Sequence, residues 1–294
     1  MTIFKGSGVA LITPFTENGE IDFLTLKNLI EFQIKNQTDS IIICGTTGES
    51  ATLSDDEKLK CIEECVKIVN KRIPVIAGTG SNCTKKAIYL SKEAEKLGVD
   101  GLLCVTPYYN KTSQAGLKQY YNQIASNVNI PIIMYNVPSR TGVNILPGTA
   151  IDIYNNNKNI VAIKEASGDI SQVATLLASN TLDVYSGNDD QVVPTLSLGG
   201  IGVISVIANI FPKETHLMVD NYLNGNIYQS KKIQLDMLKL CKSLFSDVNP
   251  IPVKKASEIM KLTNGILREP LIELDEEKTK KLKIEIENFK NLYK

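Results

Sequence analysis

Lys164 ends an apolar run of Ile160, Val161, Ala162 and Ile163 that reads as a strand. A lysine at the buried end of a strand loses the hydration of its ammonium form, which favours the neutral amine. A neutral amine attacks a carbonyl carbon and forms a Schiff base. The competing reading is a lysine that leaves the strand for solvent and pairs with the adjacent Glu165. Other proton carriers narrow the chemistry. The chain holds one histidine, His216, within a helical pattern. A zinc site of the H-E-x-x-H kind needs two, and a Ser-His-Asp triad needs its histidine beside the nucleophile. His216 therefore reads as a helix-face residue without a catalytic role, and acid–base work falls to Tyr, Lys, Asp, Glu or Thr. Tyr135, Tyr108 and Tyr109 can pass protons when hydroxyl neighbours hold them, and each can equally be a packing residue with a satisfied hydroxyl. Arg140 follows Pro138 in a rigid turn, where a guanidinium suits two-point capture of a carboxylate.

Two glycine-rich turns add anion chemistry. GTTGES (45–50) turns backbone amides and the Thr46 and Thr47 hydroxyls toward a carboxylate or a phosphate alike. No Gly-Lys-Ser/Thr follows, so it is not a P-loop. It also reads as a helix-entry turn in which Ser54 or Asp55 caps the next helix. GTGSN (78–82) is closer to a tight turn than to a dinucleotide fingerprint.

The elements that must position these residues alternate along the chain. Strand-like runs occupy 9–12, 40–44, 73–77, 101–105, 131–135, 160–164, 182–186 and 202–206. Helical patterns lie at 55–70, where Leu59, Ile62, Val66 and Val69 share a face, and at 84–97, 113–126, 171–178 and 213–223. Thr84 and Ser113 are candidate N-caps, and Gly98 is a candidate helix stop. This alternation over residues 1–225 predicts an α/β fold, a (β/α)8 TIM barrel, and the unbroken apolar strands suit a parallel sheet buried on both faces. A doubly wound open sheet is the alternative, but Thr13-Pro14-Phe15 after the first strand is not a nucleotide turn. After Asn224-Gly225-Asn226 only helical patterns remain, at 227–245, 253–262 and 275–292, so residues 226–294 are predicted to be a C-terminal helical region. The ends of the predicted strands run into GTTGES, GTGSN, TPYYN (106–110), YNVPSRTG (135–142), KEASG (164–168) and SGNDD (186–190). Hydroxyls, glycines, a lysine and an arginine thus gather at one rim, where barrels of this kind carry their active sites.

Composition excludes several classes. The 294 residues carry 32 basic and 32 acidic side chains with no basic stripe, which argues against nucleic acid or an anionic membrane as a partner. The opening segment MTIFKGSGVALITPF has no long apolar core behind a basic stretch and does not read as a signal peptide. No apolar run approaches membrane-spanning length, so a cytoplasmic location is expected. The six cysteines lack paired C-x-x-C spacing and read as free thiols. Cys44 and Cys104 are the two expected to be reachable within a cleft.

GTTGES, TPYYN, YNVPSRTG, KEASG and GGIGVIS (199–205), in this order and spacing, resemble the dihydrodipicolinate synthase family of pyruvate-dependent class I aldolases over essentially the whole chain. The resemblance implies that Lys164 forms the Schiff base with pyruvate. Tyr135 would exchange protons near that nitrogen, in a relay with Thr46 and with Tyr109, the latter reaching the site of a neighbouring subunit. Thr47 and the backbone at Ile204 would hold the pyruvate carboxylate, with Gly187 also at the substrate site, and Arg140 would receive the carboxylate of the second substrate. The implied reaction condenses pyruvate with L-aspartate 4-semialdehyde to 4-hydroxy-tetrahydrodipicolinate, the committed step of lysine biosynthesis through diaminopimelate. It needs no metal and no organic cofactor, and the implied assembly is a homotetramer, a dimer of dimers. N-acetylneuraminate lyase and keto-deoxy sugar acid aldolases share the lysine, the tyrosine and the barrel, and Arg140 favours the synthase. Relatives inhibited by lysine bind it in a cleft matched by Ser50, Ala51, Asn82 and Tyr108. Here Lys86 stands in place of an acidic residue, and Asp55 and Lys58 stand in place of histidines. A cation at 86 would repel the effector's ammonium by several kcal/mol at close range, so weak or absent inhibition is expected.

Overall fold

The computed structural model describes residues 2–293. Eight strands close a parallel barrel: β1 (Gly6–Ala10), β2 (Ser40–Ile43), β3 (Val75–Gly78), β4 (Gly101–Val105), β5 (Ile132–Asn136), β6 (Ile160–Glu165), β7 (Asp183–Ser186) and β8 (Gly202–Ser205). Closure comes from β1 pairing β8, with Gly8 opposite Ile204. The α/β barrel expected from the alternation is therefore the observed fold.

Two apolar cores follow from the alternation of side chains across each strand. Phe4, Ile42, Ile76, Leu103, Ile133, Tyr185 and Ile204 fill the inside of the barrel. Val9, Ile41, Ile43, Leu102, Ile132, Ile163, Val184 and Val203 face outward into the layer of helices. Phe4 stacks on Tyr185 at 4.5 Å and its carbonyl accepts the Tyr185 hydroxyl at 2.6 Å, which plugs the end of the barrel away from the strand C-termini.

Helix termini follow local chemistry. Ser54 and Glu57 form a capping box at the start of Asp55–Val69, and Ser113 caps Gln114–Ala125. Thr84 is not the N-cap expected of it. It opens the helix Thr84–Lys96 behind Cys83, which makes no side-chain cap bond. Gly98, at φ 86°, follows that helix as expected. β1 begins three residues before the apolar run and ends two residues short of it, because burial continues past the ladder: Leu11 still donates its amide to Ile42, while Ile12 donates to the Asn209 side chain. Helices Phe23–Lys35, Pro147–Asn156, Ile170–Leu177 and Val192–Ser197 also belong to the outer layer.

The helices Ile227–Leu244, Ile251–Ile259 and Glu276–Leu292 pack on one another, and the first lies against Pro212–Leu223. Cys44 and Cys104 are 1% and 0% exposed; Cys44 borders the cavity at the barrel mouth, whereas Cys104 does not and is closed off. Both sit in the outer core: Cys44 Sγ lies against the Lys58 carbonyl and Cys104 Sγ against the Thr79 hydroxyl, and burial pushes the Cys104 thiol up to about 11. No helix among the described residues is long and apolar enough to cross a membrane.

Candidate active site

Lys164 is 5% exposed and lies in register with Tyr135 on β5 and Tyr185 on β7. Its direction is set by one irregularity. Ile132 pairs with Ile160 but Ile133 pairs with Ala162, so Val161 is an extra residue in β6. Val161 and Ala162 therefore both face the inner core, while Ile160 and Ile163 face the helices. Lys164 falls on the inner side, with Nζ 4.5 Å from the centroid of the Tyr135 ring.

Glu165 points the other way. Its carboxylate accepts from Asn136 Nδ2 at 3.0 and 3.1 Å, Gln172 Nε2 at 2.9 Å and the Ser167 amide at 2.7 Å. The reading in which Lys164 pairs with Glu165 is thereby excluded. Among the described residues no carboxylate stands within ion-pair distance of Lys164.

The neighbouring strand ends close around the lysine. The Gly187 amide donates to the Glu165 carbonyl at 2.7 Å, and a Cβ at 187 would stand 3.1 Å from Lys164 Cε. One turn on, Asp189 Oδ2 accepts the Val206 and Ile207 amides at 2.9 and 3.1 Å, tying the β7 loop to the end of β8 just beyond Ile204. Burial raises the Asp189 carboxyl above the usual range, against the Ser205 hydroxyl, those two amides and the charge of Lys164. Its Oδ1 is buried without a protein partner.

Across the mouth, GTTGES forms a tight turn: the Gly48 amide donates to the Gly45 carbonyl and the Glu49 amide to the Thr46 carbonyl, each at 3.1 Å. Thr47 is 3% exposed, and its hydroxyl accepts from Asn249 Nδ2 at 2.9 Å. Arg140, exposed on the short helix Pro138–Thr141, donates from Nη2 to the Asn249 carbonyl at 2.8 Å. Asn249 thus bridges two residues that sequence reasoning assigned to two different substrates.

A cavity of about 340 Å3 runs from Thr46, Tyr135, Arg140 and Asn249 at the barrel mouth to Ser50, Ala51, Lys58 and Tyr108 at its edge. Lys164, Thr47, Ile204 and Gly187 do not line it. Tyr135 does line it, and its ring centroid is 4.5 Å from Lys164 Nζ. Tyr109 is not brought to the others within this chain: it is 90% exposed, with its backbone at φ 69°. At the cleft, Asn82 accepts the Asn110 side chain through its carbonyl, and Lys86 pairs with Asp55 at 2.9 Å. Burial, reinforced by the charge of Lys86, lowers the pKa of Lys58. No group of three or more His, Cys, Asp or Glu among the described residues is arranged to hold a metal ion.

The sequence profile of the dihydrodipicolinate synthetase family matches residues 3–289. The chain belongs to that family. It is 55% identical over 278 residues to the 4-hydroxy-tetrahydrodipicolinate synthase of Lachnoclostridium phytofermentans, covering 94% of this chain and 95% of the relative. It is 55% identical over 290 residues to the enzyme of that name from Clostridium tetani, covering 98% of each. Among solved structures, the dihydrodipicolinate synthase of Thermotoga maritima superposes with a TM-score of 0.96 at 41% identity, covering 98% of this chain and 99% of that one.

Asn249 and Asp189 are the residues in contact with this site that sequence reasoning passed over. Asp189 lay inside the quoted SGNDD motif, but nothing in that string says its carboxylate turns back onto β8. Asn249 sits some two hundred residues beyond its partner Thr47, and no spacing rule reaches across that distance.

Proposed function

We propose that this chain condenses pyruvate with L-aspartate 4-semialdehyde to give 4-hydroxy-tetrahydrodipicolinate, through a Schiff base on Lys164. The carrying observation is a lysine nearly fully buried at the C-terminal mouth of the barrel, with no carboxylate within ion-pair distance and a tyrosine ring against its amine. Full-length relatives that bear the synthase name support the choice of substrates.

The Lys164 amine adds to C2 of pyruvate and water leaves, forming the iminium. This cation is an electron sink, so a methyl proton departs and an enamine remains. The enamine carbon attacks the semialdehyde carbonyl, whose oxygen takes up a proton. The amino group of the former semialdehyde then attacks C2, closes the ring and displaces the Lys164 amine. Tyr135 would carry protons beside Lys164, in a relay with Thr46, which lines the same cavity. Thr47 and the backbone at Ile204 would hold the pyruvate carboxylate, Gly187 would leave room beside the lysine, and Arg140 would take the semialdehyde carboxylate.

The extreme exposure of Tyr109 supports its acting in the site of a second copy, in a cytoplasmic dimer of dimers. Residues 1–225 would then form the catalytic barrel and 226–294 its helical appendage. The test is reduction with borohydride in the presence of pyruvate, followed by mass mapping, with semialdehyde turnover measured in parallel. A pyruvyl adduct on Lys164, absent in K164M, is the expected result, and an unmodified Lys164 would refute the mechanism. Release of pyruvate from N-acetylneuraminate without turnover of the semialdehyde would shift the assignment to a lyase. A mixture of K164M and Y109F chains that regains activity neither has alone would locate Tyr109 across the interface.

A further inference from the structure

The loop 45–52, which carries Thr46 and Thr47, is gripped from outside the barrel by charges that the condensation does not use. Glu49 is 3% exposed, with a left-handed backbone at φ 54°. Its Oε1 lies 2.5 Å from Nζ of Lys254, on the helix Ile251–Ile259, and its Oε2 accepts the Arg268 amide at 3.0 Å. Lys254 is 1% exposed, and its ammonium also donates to the Ile266 carbonyl at 2.5 Å, 4.0 Å above the Phe15 ring. The Arg268 guanidinium covers the same ring at 4.5 Å and donates to the Thr52 carbonyl at 2.9 Å. It also makes a two-point pair with Glu57 at 2.5 and 2.9 Å. Asn249 holds Thr47 from the same segment of chain.

Energetics alone do not account for this arrangement. Removing two charges from water costs about what their attraction returns, and apolar side chains of similar volume hold a helix on a barrel as well. A non-glycine residue in the left-handed region persists only where its surroundings over-determine it. What the charges supply is direction. Glu49 is one backbone hydrogen bond from Thr46, so fixing the carboxylate of the first fixes the carbonyl of the second.

We propose that Glu49, Lys254 and Arg268 are positioning residues that set the loop 45–52, and through it the Thr46 and Thr47 hydroxyls, for the reaction at Lys164. The proposal rests on the functional reading above. It makes turnover depend on the C-terminal helices although they hold neither the nucleophile nor the proton carriers.

K254M alone strands a buried carboxylate, so the test uses E49Q/K254M, which removes both charges and keeps an acceptor for the Arg268 amide. The double variant is expected to melt close to the wild type and to trap pyruvate on Lys164 under borohydride. Its kcat should fall about ten-fold or more, and amides of residues 45–52 should exchange with deuterium about ten-fold or more faster, while strand amides keep their protection. R268K keeps the positive charge but loses the two-point pair, and should quicken exchange in the same loop. Wild-type turnover or wild-type loop exchange in the folded double variant would overturn the proposal. If the double variant does not fold, unchanged loop exchange in R268K overturns it and faster exchange sustains it. A wild type that traps no pyruvate refutes the functional reading instead, and loop exchange in the two variants then decides the positioning role by itself.

Discussion

Gly187→Ala tests how tightly the fold holds the nucleophile. A Cβ at this position would stand 2.5 Å from Ala166 Cβ, 3.0 Å from the Glu165 carbonyl oxygen and 3.1 Å from Lys164 Cε. Carbon atoms in comfortable contact sit at about 3.5–4.0 Å, so about 1 Å has to be found. Ala166 and the Glu165 carbonyl belong to the backbone at the end of β6 and cannot swing aside. The Lys164 stem can, so the displacement falls partly on the amine. Overpacking of this kind costs about 1–3 kcal/mol of stability, and misplacing a reacting group by 1 Å can cost about a hundred-fold in rate. We expect G187A to remain folded with a lowered melting temperature, to trap pyruvate slowly and to lose about ten- to a hundred-fold in kcat. Gly148→Ala is the control. A Cβ there meets nothing within 4 Å, and its place in the helix Pro147–Asn156 predicts a neutral effect or a gain of up to about 1 kcal/mol. A G187A enzyme with wild-type kcat, trapping rate and melting temperature would show that the crowding argument is wrong.

Three further outcomes are expected. Asp39, 2.9 Å from His216 Nδ1, raises the His216 pKa above the usual 6.5, so the stability from this pair is fully present below about pH 6.5 and is lost as pH rises through the higher folded value. H216N should therefore cost about 1 kcal/mol in denaturant titrations near pH 5.5 and less near pH 9, with kcat unchanged, because Asp39 precedes β2 at the end of the barrel away from Lys164. N249A removes the donor to Thr47 and should raise the pyruvate KM about three- to ten-fold while leaving the Lys164 adduct intact; a wild-type KM would sink Asn249 as the group that orients Thr47. Millimolar lysine should leave the initial rate nearly unchanged, since Lys58 lines the cavity edge with the Lys86–Asp55 pair beside it, whereas half-maximal inhibition at micromolar lysine would contradict that reading.

Much of the barrel was legible because the strands are apolar throughout and alternate with helical periodicity, a pattern few folds share. The rim was legible for a related reason. Glycines and hydroxyls follow the C-terminal ends of strands and Lys164 stands next to last in one, so locating the strands located the site. Strand and helix bounds were less secure, since burial at Leu11 and Ile12 outlasts the hydrogen-bond ladder.

The sequence by itself determined which groups are available: a lysine at the end of an apolar strand-like run, no second histidine, and no C-x-x-C pair of cysteines. Only the tertiary structure decided which way they point. With strict alternation from an outward Ile160, Lys164 would face the helices, and the extra residue at Val161 reverses that phase, because a shift of one residue flips every later side chain to the other face. The same holds for Glu49, Asp189 and Asn249. Lys254 and Thr47 lie about two hundred residues from their partners and Val206 lies one strand on from Asp189, and such contacts are created by closure of the barrel and docking of the last helices, which no local pattern encodes.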